Sequence, residues 1–529
     1  MVAYWCGILA HFTNNHVSSE SYQLAMYLLD QYRGTVLACR YAIPPRLAPA
    51  ASRTQLEEAV KAAVVGTIMR HPMLQVGMID ATSKTPSWIQ LQSLDLTQHI
   101  EWSYVEEHDD FEQAVQAAFR AQLDDRFPDL SIKQPGWKIT IFRQGDSPIM
   151  EILLTWNHPQ FDGAGAKVFH EDLLEMLNTE RESYARTGLA GDILRLPETA
   201  PLLPTPIEGL KSLPVDLKYL TKVFWKEIRP GFLNRDTSQA AWCPIRSSPY
   251  KTQFRAFFMD QASLLAVLAL CRQNKTTITG LLHGLALIAF SSHLHSTAAP
   301  AFQSSTIMDH RRNLPPAPPD APWARPDRAV ANYVTQALHR YDTKLVARIR
   351  SKLPADGATG GRDLPPDLVR ELWAVSARNR LEIVRRLEAG LRNDLVGVFK
   401  YVTDWQQTMR GLASKTRQFS WLVTNIGVLD GGSAPTRPDA TNTTTTTSPS
   451  PAAGDLDRPD DDQRWSISRA QFGLSAEIPA AAIEFSPVSV AGRGMCVSAS
   501  WPDCAVDAKL GERVMADLER WLAQLASQS

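Results

Sequence analysis

The stretch Met150-Glu-Ile-Leu-Leu-Thr-Trp-Asn-His-Pro-Gln-Phe-Asp-Gly-Ala-Gly-Ala-Lys-Val-Phe-His170 predicts a strand, a tight polar turn and a helix in succession. The apolar run from Ile149 to Trp156 has the length and composition of a buried strand. After Asp162 the apolar side chains recur at helical spacing, which predicts an amphipathic helix with an aspartate at its first turn. Within the turn, His158 is the residue that can exchange protons near neutral pH, so it is the candidate for chemistry.

The residue types in this turn suggest a division of roles. His158 stands between a strand and a proline, so its imidazole has few orientations and could take a proton from a hydroxyl or amine that attacks an activated carbonyl. Asp162 is predicted to be structural, because a carboxylate in an apolar corner usually pairs with an arginine. Gly163 and Gly165 permit close approaches that a side chain would block. The alternative is that His158 is an ordinary hydrogen-bonded turn residue.

The hexamer His158-Pro-Gln-Phe-Asp162-Gly163 matches the His-x-x-x-Asp-Gly motif of the coenzyme A-dependent acyltransferase superfamily. That superfamily includes chloramphenicol acetyltransferase, the plant BAHD acyltransferases, the condensation domains of nonribosomal peptide synthetases and the fungal alcohol acetyltransferases. The resemblance implies an α/β fold of two lobes, each a mixed sheet covered by helices as in chloramphenicol acetyltransferase. It also implies an active-site tunnel between the lobes, with His158 as general base and no metal.

Two further segments resemble the same families. A helix predicted from Arg53 to Ile68 runs into Arg70-His71-Pro72, as in the condensation and fungal enzymes, and His71 is interpreted as a structural turn residue. Asp309-His310-Arg311 is similar to the Asp-x-Arg strand end of the plant enzymes. By that resemblance Arg311 is the partner of Asp162, with Arg312 in reserve; the alternative is a solvated basic turn.

A buried strand is predicted from Phe419 to Leu429, and its Thr424-Asn425-x-Gly segment resembles the Ser-Asn-x-Gly strand of the condensation and fungal enzymes. Thr424 and Asn425 are therefore candidates to touch an acyl intermediate or the pantetheine arm; the alternative is that they satisfy backbone groups at a strand end. Gln471-Phe-Gly departs from the Asp-Phe-Gly-Trp-Gly box of the plant enzymes, which favours the fungal alcohol acetyltransferase branch.

The composition indicates a globular protein without a nucleic-acid or metal partner. The chain has 529 residues, 44% of them apolar and 21% charged, so it suits two or more globular domains. A formal net charge of −1 argues against a nucleic-acid partner recognised by electrostatics. The six cysteines are scattered without metal-ligand spacing, which indicates reduced thiols in a cytoplasmic protein. His283 and His293 have no carboxylate in register, so no metal site is predicted.

The N-terminus lacks the basic lead of a signal peptide, and no window has the ~20 apolar residues of a membrane span. The amphipathic stretch from Leu217 to Trp225 is interpreted as a packed helix, with peripheral membrane contact as the alternative. We expect residues 1–198 to form the N-terminal lobe, 199–250 a proline-punctuated crossover, and 251–529 the C-terminal lobe. Residues 431–463 are predicted to be a disordered insertion because they are low in apolar residues.

Three functions are compatible with these observations. The first is transfer of an acyl group, acetyl in the simplest case, from coenzyme A to the hydroxyl of a small, specialised-metabolite acceptor, with the chain acting as a monomer. The second is a condensation-like enzyme with a donor on a carrier protein, an amine acceptor or an intramolecular reaction. The third is a binding protein without catalysis. An intact His158, Asp162 and Gly163 argues against the third, since binding alone does not require a base.

Overall fold

A computed structural model describes residues 18–127, 135–179, 188–198, 202–228, 236–317, 325–354, 362–432 and 464–528. The predicted insertion at 431–463 lies outside these residues except at Gly431 and Gly432. No described helix is long and apolar enough to cross a membrane.

The strands are β1 (Gly34–Ala42), β2 (Val76–Ile79), β3 (Ser87–Gln90), β4 (Ser93–Asp95), β5 (Ile100–Val105), β6 (Trp137–Gln144), β7 (Ile149–Asn157), β8 (Leu189–Ala190), β9 (Ile193–Arg195), β10 (Thr252–Met259), β11 (Phe302–Asp309), β12 (Val334–Tyr341), β13 (Phe419–Val423), β14 (Val428–Leu429), β15 (Ser466–Leu474), β16 (Ala481–Val490) and β17 (Gly494–Pro502). The helices are α1 (Ser18–Leu28), α2 (Arg53–Arg70), α3 (Phe111–Leu123), α4 (Gly163–Leu177), α5 (Ile207–Leu210), α6 (Leu217–Ile228), α7 (Gln261–Gln273), α8 (Ile278–His293), α9 (Thr343–Arg350), α10 (Pro366–Glu388), α11 (Val396–Phe399), α12 (Trp405–Leu412) and α13 (Ala508–Ser527).

Two mixed sheets organise the chain. The first has five strands in the order β15-β1-β7-β6-β5, and β7 pairs antiparallel with both β1 and β6. The second has seven strands, in the order β10-β17-β16-β13-β11-β12 with β14 attached to β16. The mixed-sheet α/β fold class implied by the motif is confirmed, and β6 is the other neighbour of the motif strand. Two small sheets, β2-β3 and β4-β9-β8, complete the described part.

The motif strand β7 is buried from Met150 onward because it is the central strand of the first sheet. Ile152, Leu154 and Trp156 on one face join the main core with α4, while Leu153 on the other packs with Phe119 of α3. A strand with apolar residues on both faces is expected where helices cover both sides of a sheet. β7 is therefore a rigid support for the turn that follows it.

A strand late in the chain crosses to the first sheet. β15 pairs antiparallel with β1 over most of its length, although it precedes β16 and β17 of the second sheet directly. The main-chain N–H of Ser475 donates to the carbonyl of Gly34 at 3.0 Å just beyond the strand. The two sheets are thus joined by the chain itself near the start of β1. The division of the chain at residues 199 and 250 stays a prediction.

Two local predictions need correction. The strand predicted from Phe419 to Leu429 breaks after Val423 and resumes at Val428, because Gly427 takes a positive φ of 83° that turns the chain. The helix around Leu217 is present as α6, but Leu217, Phe224 and Trp225 remain 75%, 45% and 57% exposed. Tyr219, Leu220 and Val223 of the same helix are half-buried, so its apolar side chains are only partly packed against the described part of the chain.

Candidate active site

His158 occupies the turn immediately after β7. Its side chain is half-buried, and its ring centroid lies 5.7 Å from that of Tyr32. Asn332 Nδ2 donates to the main-chain carbonyls of His158 at 2.9 Å and of Pro159 at 3.1 Å, which holds the turn in place. Among the described residues, no other residue is a hydrogen-bond partner of the buried His158 Nδ1. The backbone of this histidine is therefore fixed while its ring is not tied to a carboxylate.

The protonation state of His158 follows from its surroundings. Burial lowers its pKa below the usual 6.5 because the charged imidazolium loses hydration, and the nearby charge of Asp162 only partly opposes this. A ring with a lowered pKa is neutral at pH 7 and can accept a proton. The His158 imidazole is therefore in the neutral form at pH 7.

Asp162 is structural in its contacts. It is 1% exposed and caps α4, with Oδ1 accepting from the main-chain N–H of Gly165 at 2.8 Å. Its Oδ2 accepts from the main-chain N–H of Tyr333 at 2.8 Å. Both oxygens also accept from Arg311, at 2.8 Å from Nη2 and 2.9 Å from Nη1. Both carboxylate oxygens are therefore taken by Arg311 and by main-chain N–H groups.

Arg311 stands just past the end of β11 and reaches from the second sheet to the helix that follows β7. Besides the bidentate pair with Asp162, its guanidinium donates to the carbonyls of Ala329 and Ala331 and to Asp309 Oδ1 at 2.8 Å. Burial disfavours its charge, but Asp162 and Asp309 more than offset this and raise its pKa. The predicted partner of Asp162 is thus in contact with it. Its supporting role for the site stays a prediction.

Gly163 and Gly165 allow close packing at the first turn of α4. A Cβ on Gly163 would lie 2.8 Å from Ile426 Cγ2 and from Phe472 Cζ, closer than carbon atoms approach. A Cβ on Gly165 would lie 3.3 Å from the backbone of Ala331. The glycine of the motif is therefore required by side chains that come from the loop after β13 and from β15.

Thr424 and Asn425 lie in the loop between β13 and β14. The main-chain N–H of Thr424 donates to the carbonyl of Phe485 at 2.8 Å. Asn425 Oδ1 accepts from the N–H of Gly427 at 2.8 Å, and its Nδ2 donates to Thr279 Oγ1 at 3.1 Å. These contacts satisfy backbone groups at a strand end. Contact of either residue with an acyl chain or pantetheine arm stays a prediction.

His71 is separate from this turn. Its Nε2 lies 2.7 Å from Asp172 Oδ2, and both residues line a cavity of about 990 Å³ whose lining does not include His158. Arg328 also contacts Asp172 there. His283 is buried and lies 2.7 Å from Thr306 Oγ1. Within the described ranges no three histidine, cysteine, aspartate or glutamate side chains are placed to hold a metal ion.

Sequence reasoning assigned no role to several residues that shape the site. Asn332 and Tyr333 were visible as a polar pair before β12, but nothing local indicated that they would bind the main chain of the motif turn and Asp162. Tyr32 carried no signal, because its approach to His158 depends on the pairing of β1 with β7. Phe472 belongs to the Gln471-Phe-Gly segment that departs from the plant motif, and nothing in that segment predicts that the Phe472 ring leaves no room for a side chain at Gly163.

Comparisons with known proteins agree with this architecture. The profile of the alcohol acetyltransferase family matches residues 90–320, which contain both His158 and Arg311. A probable alcohol acetyltransferase, FCK4 of Fusarium pseudograminearum, is 25% identical over 527 residues, covering 97% of this chain and 95% of the relative.

Solved structures show the same fold. The structure of TRI3 trichothecene 15-O-acetyltransferase from Fusarium sporotrichioides superposes with a TM-score of 0.63 at 12% identity, covering 97% of both chains. The first condensation domain of the calcium-dependent antibiotic synthetase gives 0.52 at 11% identity, covering 98% of this chain and 96% of that domain. The two-lobed fold predicted from the motif is confirmed, and the chain is similar in sequence to a probable alcohol acetyltransferase of a fungus and in fold to an O-acetyltransferase and a condensation domain.

Proposed function

We propose that this protein transfers an acyl group, acetyl in the simplest case, from coenzyme A to a hydroxyl of a small specialised-metabolite acceptor, with His158 as the general base. The observation that carries the proposal is the environment of His158. Its backbone is fixed by Asn332, its pKa is lowered by burial, and among the described residues no carboxylate is hydrogen bonded to its ring. Such an imidazole is neutral and free to accept a proton from an acceptor.

The reaction needs only this base and correct positioning. His158 takes the proton of the acceptor hydroxyl while the hydroxyl oxygen attacks the thioester carbonyl. The imidazolium then returns the proton to the departing sulfur as the tetrahedral species collapses, which gives an ester and the free thiol. His158 ends the cycle neutral, so no covalent enzyme intermediate is required.

The remaining motif residues hold this base in position. Asp162 and Arg311 anchor the start of α4 to the loop that carries Asn332, so the turn containing His158 is fixed from both sides. A misplacement of about 1 Å in a catalytic group can lower the rate about 100-fold, which is why a rigid turn matters. We assign Thr424 and Asn425 to the donor side of the site, where Asn425 links the β13–β14 loop to the start of α8.

A carrier-protein donor is the second possibility, and it would require a basic docking surface. Helix α10 carries five arginines, and three of them, Arg370, Arg378 and Arg386, each contact a carboxylate in the structure. Paired charges of this kind give a surface little net positive potential. We therefore favour coenzyme A as the carrier of the donor.

The test is the release of free thiol from acetyl-CoA by purified protein with a panel of alcohols and amines. His158→Gln keeps the size of the ring roughly and removes the base, so we expect acceptor-dependent release to fall about 10²–10⁴-fold. His108→Ala serves as the control, because that histidine is 82% exposed and outside the turn. Equal rates for wild type and His158→Gln, with both folded by circular dichroism, would remove His158 from the chemistry.

A further inference from the structure

Three polar side chains share one face of the second sheet. Glu484 and Ser486 are two residues apart on β16, so their side chains lie on the same face of the sheet. Ser500 of β17 lies directly opposite Glu484 in the antiparallel register. Directly opposed residues have Cβ atoms about 5 Å apart, so these side chains are neighbours. They are 2%, 1% and 1% exposed. We call Glu484, Ser486 and Ser500 the Glu484 patch.

The polar atoms of the Glu484 patch lack partners. Both carboxyl oxygens of Glu484 and the hydroxyl oxygens of Ser486 and Ser500 have no hydrogen-bond partner among the described residues. The main-chain N–H of Glu477 is close enough to favour the ionised carboxyl, but it is not in hydrogen-bonding geometry with either oxygen. A buried polar group left without a partner costs about 1–3 kcal/mol, so four such atoms on one face call for an explanation.

The patch is connected to the candidate active site. The segment after β15 is hydrogen bonded to the start of β1, with Ile478 N–H donating to the carbonyl of Gln31 at 2.9 Å. This segment carries Glu477, whose Oε1 accepts from the Tyr22 hydroxyl at 3.1 Å. Tyr32, whose ring lies 5.7 Å from that of His158, is close enough for the charge of Glu484 to raise its pKa. The same face of β17 also contacts the motif, because Ser498, two residues from Ser500, donates to the carbonyl of Phe472, and the Phe472 ring packs against Gly163. The Glu484 patch therefore faces the first sheet on the side of the motif turn.

The charge state of the patch indicates what it can bind. Burial and the neighbouring Glu477 both raise the pKa of Glu484, and Arg417 opposes them only partly. Arg417 itself donates to the carbonyls of Cys243, Pro244 and Ala481. A neutral carboxyl offers one O–H donor and one acceptor, and each serine offers the same pair.

We propose that the Glu484 patch binds a hydroxyl of the acceptor other than the one that is acylated, and so selects for polyhydroxylated acceptors. A ligand hydroxyl both donates and accepts, which matches a neutral carboxyl flanked by serines. A protonated amine only donates, and it would require Glu484 to ionise where burial disfavours the charge. Glu484 is thus a specificity-determining residue of the acceptor side. This inference rests on the proposed acyl transfer.

The test compares acceptors that differ only in a second polar group: 1-hexanol, 1,6-hexanediol and 6-aminohexan-1-ol, with the O-acetyl product quantified. Glu484→Met fills the same volume without hydrogen bonds, and Glu484→Gln keeps a donor and an acceptor. We expect Glu484→Met to lower the ratio of kcat/KM for the diol to that for 1-hexanol about 10-fold or more, mainly through KM. Glu484→Gln should keep most of the preference. Removal of an unpartnered carboxyl should also raise the midpoint of thermal unfolding.

Ser498→Ala is the matched control, because Ser498 lies on the same face of β17 but donates to the carbonyls of Phe472 and Ser486. It should lower the unfolding midpoint and leave the ratio unchanged. Equal ratios for wild type and Glu484→Met would overturn the proposal. So would a Glu484→Met protein that is less stable and equally slow with every acceptor, since that shows a structural role. A preference for 6-aminohexan-1-ol that depends on Glu484 would overturn the proposal, because it would show that the patch binds a cation and not a hydroxyl.

The proposal is separable from the acyl transfer itself. If wild type acylates none of the three acceptors, the proposed function fails, and the binding of the same probes decides the inference. Saturation-transfer NMR registers millimolar binding without turnover. A stronger signal for 1,6-hexanediol than for 1-hexanol that disappears in Glu484→Met supports the Glu484 patch. Signals that are the same in both proteins overturn it.

Discussion

Removal of one partner of the buried Asp162–Arg311 pair should destabilise the protein severely. The two side chains are 1% and 4% exposed and share two hydrogen bonds of 2.8 and 2.9 Å. Asp162→Asn keeps the shape and the capping bond to Gly165 but removes the charge, and Arg311→Met keeps the volume without the guanidinium. Arg311→Met leaves the Asp162 carboxylate buried without an ionic partner, and Asp162→Asn leaves the buried Arg311 with the half-exposed Asp309 as its remaining carboxylate. Breaking a buried pair in this way costs about 3–5 kcal/mol, with Arg311→Met the more costly of the two.

The double variant separates the pair from its surroundings. With both charges gone, no charge is left buried, so the loss in the Asp162→Asn/Arg311→Met protein should be about 2 kcal/mol smaller than the sum of the singles. The free energy of unfolding is measured by urea titration, followed by tryptophan fluorescence and by circular dichroism. The exposed pair Arg370–Asp367, with side chains 75% and 59% exposed, provides the control Asp367→Asn. That change should cost less than about 1 kcal/mol.

Two outcomes would contradict a role of the Asp162–Arg311 pair in holding the turn. If Asp162→Asn costs no more than Asp367→Asn, the buried pair does not hold the turn. If the two single losses simply add in the double variant, Asp162 and Arg311 act independently, and their contact does not explain the geometry around His158. In either case the rigidity of the turn must come from Asn332 and the packing at Gly163.

Two other perturbations test the site. The first is pH: kcat/KM for acyl transfer should fall on the acid side with a midpoint below 6.5. Burial lowers the pKa of His158, and the proposed base is active only when neutral. A midpoint at or above 6.5 would contradict the lowered pKa. Gly163→Ala should destabilise the protein by about 1–3 kcal/mol, since its Cβ would lie 2.8 Å from both Phe472 and Ile426. Gly411→Ala, in a helix with no atom within 4 Å of the added Cβ, should instead stabilise by about 0.5–1 kcal/mol, and equal effects of the two alanines in thermal unfolding would refute the packing argument.

The parts of the structure that follow from local pattern were predictable. β7 and α4 are set by apolar periodicity on either side of the motif, and they form close to the predicted bounds. The loop between β13 and β14 was predicted as strand, because the run around Thr424 is apolar and the turn depends on Asn425 bonding to Gly427. A single positive φ at a glycine decides that break, and periodicity does not reveal it.

Contacts between distant segments were not predictable from pattern alone. Arg311 could be named as the partner of Asp162 only through resemblance, because the two stand 149 residues apart. The approach of Phe472 to Gly163 depends on β15 leaving the second half of the chain to pair with β1, and alternating polarity does not specify a partner strand. The Glu484 patch escaped notice for the same reason. A glutamate in an apolar strand reads as a solvent-facing residue until the opposing sheet is in place.

The contacts of Asp162 determine how His158 can work. A histidine base often has a carboxylate that orients its ring and stabilises the imidazolium, but here both oxygens of Asp162 are taken by Arg311 and by the main-chain N–H groups of Gly165 and Tyr333. The imidazolium is therefore stabilised by the more distant charge of Asp162, by Asn332 and by its own backbone, and burial outweighs these and keeps its pKa low. A weak base of this kind does not ionise an alcohol in advance. In the proposed transfer it removes the proton as the oxygen attacks, which suffices when the carbonyl is already activated as a thioester. The lowered pKa also lets the imidazolium give its proton readily to the departing sulfur, so the same environment serves both halves of the transfer.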